Sequence, residues 1–187
     1  MSFLSELKKQ KNKLKETETV VTSVDGSRFV ERGNEREAID KTFGFVVDTK
    51  PDDIPVLITD FLYIGSQDCT TSNILVKYDV KHVLSLGINV EVSGVNHKFV
   101  ECLDLPETGV GSVLNEALPF LRQAVLSKEN VLVHCNAGVS RTSMVAIAYL
   151  MQYENLCFED AYSLVKERRP AIQPNAGFKK QLSILSM

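Results

Sequence analysis

The sequence is poor in what metal centres, membrane anchors and nucleic-acid interfaces require. Only three histidines accompany four cysteines in 187 residues, and Cys69, Cys102, Cys135 and Cys157 stand nowhere in CxxC spacing. That pattern argues against a structural zinc site, and neither a metal nor an organic cofactor is expected. No apolar stretch reaches membrane-spanning length, and Ser2 in place of glycine removes N-myristoylation. The first residues are polar and lysine-rich, unlike a secretory signal. A soluble cytoplasmic protein is therefore expected, with the nucleus as a second compartment. The net charge of −3 is too small for a global field that would recruit nucleic acid or an anionic membrane. Internal repeats and low-complexity tracts are also absent.

What is present suffices for one packed domain and an extension, since 44% of the residues are hydrophobic. Leu4, Leu7 and Leu14 share one side of a lysine-rich segment over 2–15, which predicts a helix apart from the core. Asp25-Gly26 between the β-capable runs 17–24 and 27–31 predicts a hairpin. Residues 34–50 show little periodicity, and the prolines at 51 and 55 punctuate the chain. The boundaries read as an extension over 1–52 and a main domain over 53–187. From there strands (56–59, 61–64, 82–85, 97–103, 131–134) are interleaved with helices (67–77, 113–126, 141–153, 158–168, 175–185). Pro119 disagrees with the second helix, which it should kink or leave irregular. This rhythm predicts an α/β fold, a central mainly parallel sheet flanked by helices on both faces. In such a sheet the ligand site lies beyond the carboxyl ends of the strands.

The densest stretch is 131–142, Val-Leu-Val-His-Cys-Asn-Ala-Gly-Val-Ser-Arg-Thr. Val131, Leu132 and Val133 predict a buried strand, Gly138 a loosened turn, and Arg141 the start of an apolar helix. Cys135 thus stands at a helix N-terminus, where unpaired N–H groups and the positive end of the macrodipole bind an anion and favour a thiolate. Asn136, Ala137, Gly138, Val139 and Ser140 can cradle a tetrahedral dianion, which Arg141 closes with two parallel N–H···O bonds. GxxxxGK[ST] is missing, so no nucleoside triphosphate is implied.

A thiolate lying against a phosphoryl group can displace an alkoxide or phenoxide, and that leaving oxygen needs a proton. Asp104, where a strand gives way to a loop, is the candidate acid, then base toward water. From spacing alone it reads equally as a turn or cap residue, and Glu101 and Glu107 are local rivals. The Thr142 hydroxyl is placed to stabilise the thiolate as it departs. Cys69, Cys102 and Cys157 read as small buried hydrophobes. His82 and His97 read as ordinary strand residues. Arg168 and Arg169 read as solvated charges at a helix C-terminus, or as a contact to a second substrate phosphate.

His-Cys-x5-Arg-Thr at 134–142 resembles the signature of cysteine-based protein tyrosine phosphatases. Asp104 precedes Cys135 by 31 residues, a spacing similar to that of compact dual-specificity phosphatases. Phe61-Leu62-Tyr63-Ile64-Gly65-Ser66 resembles their opening strand, and 168–178, Arg-Arg-Pro-Ala-Ile-Gln-Pro-Asn-Ala-Gly-Phe, their closing motif. The resemblance covers about residues 53–187. It implies the protein tyrosine phosphatase-like fold, a catalytic role for Asp104, a supporting place for Asn175 behind the phosphate loop, and for His134 a structural role tuning that loop. Gly65-Ser66-Gln67-Asp68 and 103–108, Leu-Asp-Leu-Pro-Glu-Thr, are shared with atypical members linked to stress-activated MAP kinase pathways. The function so implied is hydrolysis of phosphotyrosine and phosphoserine/phosphothreonine through a cysteinyl-phosphate, on phosphoprotein substrates that include MAP kinase pathway components, by a monomer. Phosphoinositide phosphatases of the superfamily carry lysines in this loop, and none stands between Cys135 and Arg141. The rivals are a phosphoprotein-binding scaffold with little turnover and a phosphatase of a non-protein substrate. For the lysine-rich amino terminus, a solvated helix and a docking element for an acidic kinase surface stay open.

Overall fold

The structure, a computed structural model, describes residues 18–22, 28–32, 35–39 and 52–185. The lysine-rich segment over 2–15 and the Asp25-Gly26 turn lie outside the described residues. The chain separates into two compact units, 1–43 and 44–187. In the first, β1 (Glu18–Thr22) pairs antiparallel with β2 (Arg28–Arg32), Val20 opposite Val30. A third strand, β3 (Glu35–Ile39), pairs antiparallel with β2. Its sequence, Glu-Arg-Glu-Ala-Ile, has no apolar alternation, so nothing in its periodicity foretells a strand. Cross-strand charge pairing supports it instead: Arg36 lies opposite Glu31 and donates from Nε to Oε1 at 2.9 Å.

The second unit is built on a five-stranded sheet. Its order is β4 (Val56–Thr59), β5 (Leu62–Gly65), β8 (Asn130–His134), β6 (Val80–Leu86), β7 (Asn96–Val100). All neighbours pair parallel except the edge strand β4, which turns back on β5 through Asp60 and Phe61, the latter at φ 66°. The expected mainly parallel α/β sheet is present, with β8 at its centre. Side-chain alternation divides the core. Val131, Val133, Leu62, Ile64, Leu84 and Leu86 pack in one cluster, while Leu132, Val80 and Val83 pack in another.

Four helices cover the first face: α2 (Val110–Leu126), α3 (Arg141–Glu154), α4 (Phe158–Arg168) and α5 (Ala176–Ile184). Among the described residues the 3-10 turn Gln67–Thr70 and the short α1 (Ser72–Lys77) lie on the second, through Cys69, Ile74 and Leu75. Every residue of α3 from Thr142 to Met151 is buried, the mark of a helix enclosed on all sides.

Several elements differ from the sequence reading. The helix expected over 67–77 breaks at Thr71, which is extended at φ −66° and ψ 145°. Strand β7 ends at Val100 and not at 103, leaving 101–109 as a loop that carries Asp104. Pro119 sits inside α2 without ending it. An interior proline costs about 3 kcal/mol, but burying Leu114, Leu118 and Leu121 returns roughly 1.5–3 kcal/mol each. Packing therefore wins, and Pro119 itself faces solvent.

Candidate active site

Strand β8 ends in His134, and Cys135 to Ser140 form the loop that leads into α3, at the carboxyl end of the central strand. The orientation of this loop follows from where its carbonyls go. The Cys135 carbonyl contacts His134 Nδ1 at 3.2 Å, and that of Asn136 accepts from Gln67 N at 2.9 Å. Ala137 and Gly138 carbonyls accept from Arg169, at 3.2 Å from Nη2 and 3.0 Å from Nε. The Val139 carbonyl accepts from Gln173 N (3.0 Å) and Ser143 Oγ (2.6 Å), and that of Ser140 from Met144 N (3.0 Å). Every loop carbonyl is thus engaged by the surrounding protein. Among the described residues no hydrogen bond uses the main-chain N–H groups of Asn136 to Ser140, which leaves a nest of donors for an anion. Gly138 allows this path: at φ 64°, a Cβ there would lie 2.5 Å from the Gly65 carbonyl.

Arg141 opens α3, and its Nη1 donates to the Leu86 carbonyl at the end of β6 (3.1 Å), with a longer contact to Cys102 O at 3.5 Å. Gly87 makes room for it, since a Cβ there would come within 2.5 Å of Nη1. At this site two buried polar atoms, Arg141 Nε and Thr142 Oγ1, have no hydrogen-bond partner among the described residues. An unsatisfied buried donor costs about 1–3 kcal/mol, and Arg141 Nε, beside the amide nest, is a donor of the kind an anion accepts from.

Asp104 is brought to the same place. Its Oδ1 accepts from Ser140 Oγ (2.6 Å) and Asn175 Nδ2 (2.9 Å), and its Oδ2 lies 3.7 Å from Arg141 Nε. The main-chain N–H of Asn175 donates in turn to Ser140 Oγ at 3.1 Å, while its Oδ1 caps α5 by accepting from Phe178 N. Ser140 therefore contributes its main chain to the loop and its side chain to Asp104, a division the sequence reading did not anticipate. Glu101 and Glu107 are exposed. The Asp104 loop leans on α5: a Cβ on Gly177 would lie 2.0 Å from Pro106 O, and Gln181 accepts from Val110 N and donates to Thr108 O.

Behind the loop, His134 is fully buried, and burial pushes its pKa down to about 4. The imidazole is neutral at pH 7, and its contacts assign the tautomer: Nδ1–H donates to the Cys135 carbonyl, so Nε2 accepts from Ser85 Oγ at 2.6 Å. Ser85 Oγ can then accept from His97 Nε2 at 2.8 Å. His97, read from sequence as an ordinary strand residue, is part of this support. The shift of His134 has a measurable consequence. An unfolded histidine titrates near 6.5, so between that pH and about 4 the unfolded chain binds a proton that the native chain refuses. This stability is present above pH 6.5 and lost as pH falls toward 4, about 3 kcal/mol in all. Chemical denaturation of wild type against His134→Gln from pH 7 to pH 4.5 should show the wild type losing stability more steeply; parallel curves would contradict the assignment.

Other residues correct the sequence reading. Arg169, expected as a solvated charge, is 5% exposed and holds two loop carbonyls, whereas Arg168 is exposed. Its burial comes from the chain turning at Pro170 after α4, which no local pattern encodes. Cys157 is exposed, not buried, and caps α4 by accepting from Asp160 N at 3.5 Å. Cys69 and Cys102 are buried as expected, and burial pushes their thiols up to about 11 and about 12. Among the described residues no group of histidine, cysteine or carboxylate side chains could hold a metal ion, and no helix is long and apolar enough to cross a membrane.

Parallel sheet, buried α3 and a cysteine-to-arginine loop at the carboxyl end of the central strand define a member of the cysteine-based protein tyrosine phosphatase superfamily. Residues 62–186 match the family described as dual specificity phosphatase, catalytic domain. The chain belongs to the dual-specificity phosphatase family, among its atypical members. It is 43% identical over 143 residues to dual specificity protein phosphatase 19 of Mus musculus, covering 74% of this chain and 65% of that protein. A probable dual specificity protein phosphatase of Dictyostelium discoideum is 33% identical over 223 residues, covering 98% and 97%. Human dual specificity protein phosphatase 7 is 38% identical over 134 residues, 68% of this chain but 32% of that protein. The chain thus spans just under two thirds of the mouse relative and about a third of the human one. Among solved structures, human DUSP28 superposes with a TM-score of 0.65 at 27% identity, covering 68% of this chain and 89% of that one.

Proposed function

We propose that this protein hydrolyses phosphotyrosine and phosphoserine/phosphothreonine in proteins through a covalent cysteinyl-phosphate. The observation that carries the reading is the loop itself: its carbonyls are all taken from outside while the amides of Asn136, Ala137, Gly138, Val139 and Ser140 stay unengaged. A phosphoryl group fits that nest, with Arg141 Nε as an additional donor and Cys135 beneath it as nucleophile. Asp104 protonates the leaving oxygen and later takes a proton from the attacking water, and Thr142 Oγ1 stabilises the sulfur as it leaves. Amides and guanidinium supply the positive charge, so the scheme needs no metal or organic cofactor. A reactive thiol suits a reducing compartment, the cytoplasm or the nucleus. Substrates are sought first among MAP kinase pathway proteins, on the resemblance to members linked to stress-activated kinases, with the chain acting as a monomer.

The test is a release assay with purified protein on a doubly phosphorylated kinase activation-loop peptide, a phosphoinositide and a 5′-phosphorylated RNA. Phosphate release from both the tyrosine and the threonine of the peptide is expected. Hydrolysis confined to the lipid or the RNA overturns the substrate class, and tight peptide binding without release favours the scaffold.

A further inference from the structure

Arg169 is a buried cation held against two main-chain carbonyls, which carry only partial charge. A buried guanidinium needs a full counter-charge, and it finds one in Asp52, whose Oδ2 accepts from Arg169 Nη2. Asp52 precedes the first strand of the sheet and is 117 residues away in sequence. Its own backbone is pinned on every side. The carbonyl accepts from Ser66 Oγ at 2.6 Å and Cys69 Sγ at 3.2 Å, and its N–H donates to Asp68 Oδ2 at 3.2 Å. Ser66 and Cys69 belong to the turn whose Gln67 N–H holds the Asn136 carbonyl and whose Gly65 abuts Gly138. One small framework therefore fixes Asp52, fixes Arg169 through it, and so fixes the carbonyls of Asn136, Ala137 and Gly138.

We propose that Asp52 is a positioning residue of the phosphate loop: by neutralising and orienting Arg169 it keeps the Ala137 and Gly138 carbonyls turned out and the loop amides turned in. This rests on the reading of 135–141 as a phosphate loop. A peptide plane released from Arg169 can rotate its carbonyl toward the anion, which replaces an attraction by a repulsion. Asp52 never touches substrate, so its loss should act on oxyanion affinity and on rate together.

Asp52→Asn keeps the shape and removes the charge. Relative to wild type it is expected to weaken tungstate binding, measured calorimetrically in a Cys135→Ser background, by about tenfold, and to lower kcat/KM on an aryl phosphate by roughly 10- to 100-fold. In an Arg169→Gln background the same change should add nothing. A merely structural contact would lower Tm and leave the tungstate affinity of the folded protein unchanged, and that outcome overturns the inference. If Asp52→Asn is too unstable to assay, Arg169→Lys replaces it, since lysine keeps a charge but lacks the planar fork whose Nε and Nη2 meet the two carbonyls and the carboxylate separately; wild-type tungstate affinity in that variant also overturns the inference. The two readings fail separately. Wild type that neither binds tungstate nor turns over removes the phosphate loop, whereas wild type that does both alongside an unaffected Asp52→Asn removes only the role of Asp52.

Discussion

Cys135→Ser is expected to lower turnover of an aryl phosphate by a factor on the order of 10⁴ to 10⁶, while tungstate affinity stays within a few-fold of wild type. The argument separates the nucleophile from the cradle. The hydroxyl of serine is far less acidic than a thiol and has no group beside it to take its proton: His134, the adjacent base, points Nδ1–H at the Cys135 carbonyl and commits Nε2 to Ser85. The cradle depends on carbonyl contacts from Gln67, Arg169, Gln173 and Ser143, none of which involves the sulfur. Cys135 is 2% exposed, and serine is the smaller residue, so the loop has no reason to rearrange. Turnover and binding, measured on the same preparation, should therefore part. Full activity in Cys135→Ser removes the cysteinyl-phosphate, and loss of tungstate binding would mean that the sulfur helps to build the anion site.

How much of this site was legible in the sequence depends on whether its parts are local. Strand, glycine turn and helix start around Cys135 are encoded within a dozen residues, and each local preference points the same way, so the loop and its place in the sheet could be anticipated. Asn175 was reachable only through resemblance, because its contact with Asp104 spans 71 residues. Arg169 was misread for a physical reason. An arginine at a helix C-terminus is ordinarily solvated, and its burial here needs the chain reversal at Pro170 together with a carboxylate from the start of the domain. Nothing local to Ser140 signals that its side chain turns to Asp104, 2.6 Å away and 36 residues distant in sequence. Strand β3 went unseen because charge pairs, not apolar alternation, hold its register.

Asp104→Asn is expected to cost about 10² to 10⁴ in rate on a phosphotyrosine or phosphothreonine peptide, and much less on p-nitrophenyl phosphate. The difference arises from the leaving group. Nitrophenolate departs without a proton, whereas the alkoxide of threonine requires one, so only the second reaction draws on the acid in its first step. Asparagine is nearly isosteric and still accepts from Ser140 Oγ and Asn175 Nδ2 through its carbonyl oxygen, so the loop over 101–109, itself braced by Gly177 and Gln181, should keep its place. What disappears is the exchangeable proton and the negative charge 3.7 Å from Arg141 Nε. Losing that charge frees the guanidinium for the phosphoryl oxygens, so KM on the peptide should hold or fall while kcat drops. The measurement is kcat and KM for wild type and Asp104→Asn on both substrates. Equal losses on the two would exclude Asp104 as the proton donor and leave it a tether for Ser140 and Asn175, and a peptide substrate indifferent to the change would return the acid to Glu101 or Glu107.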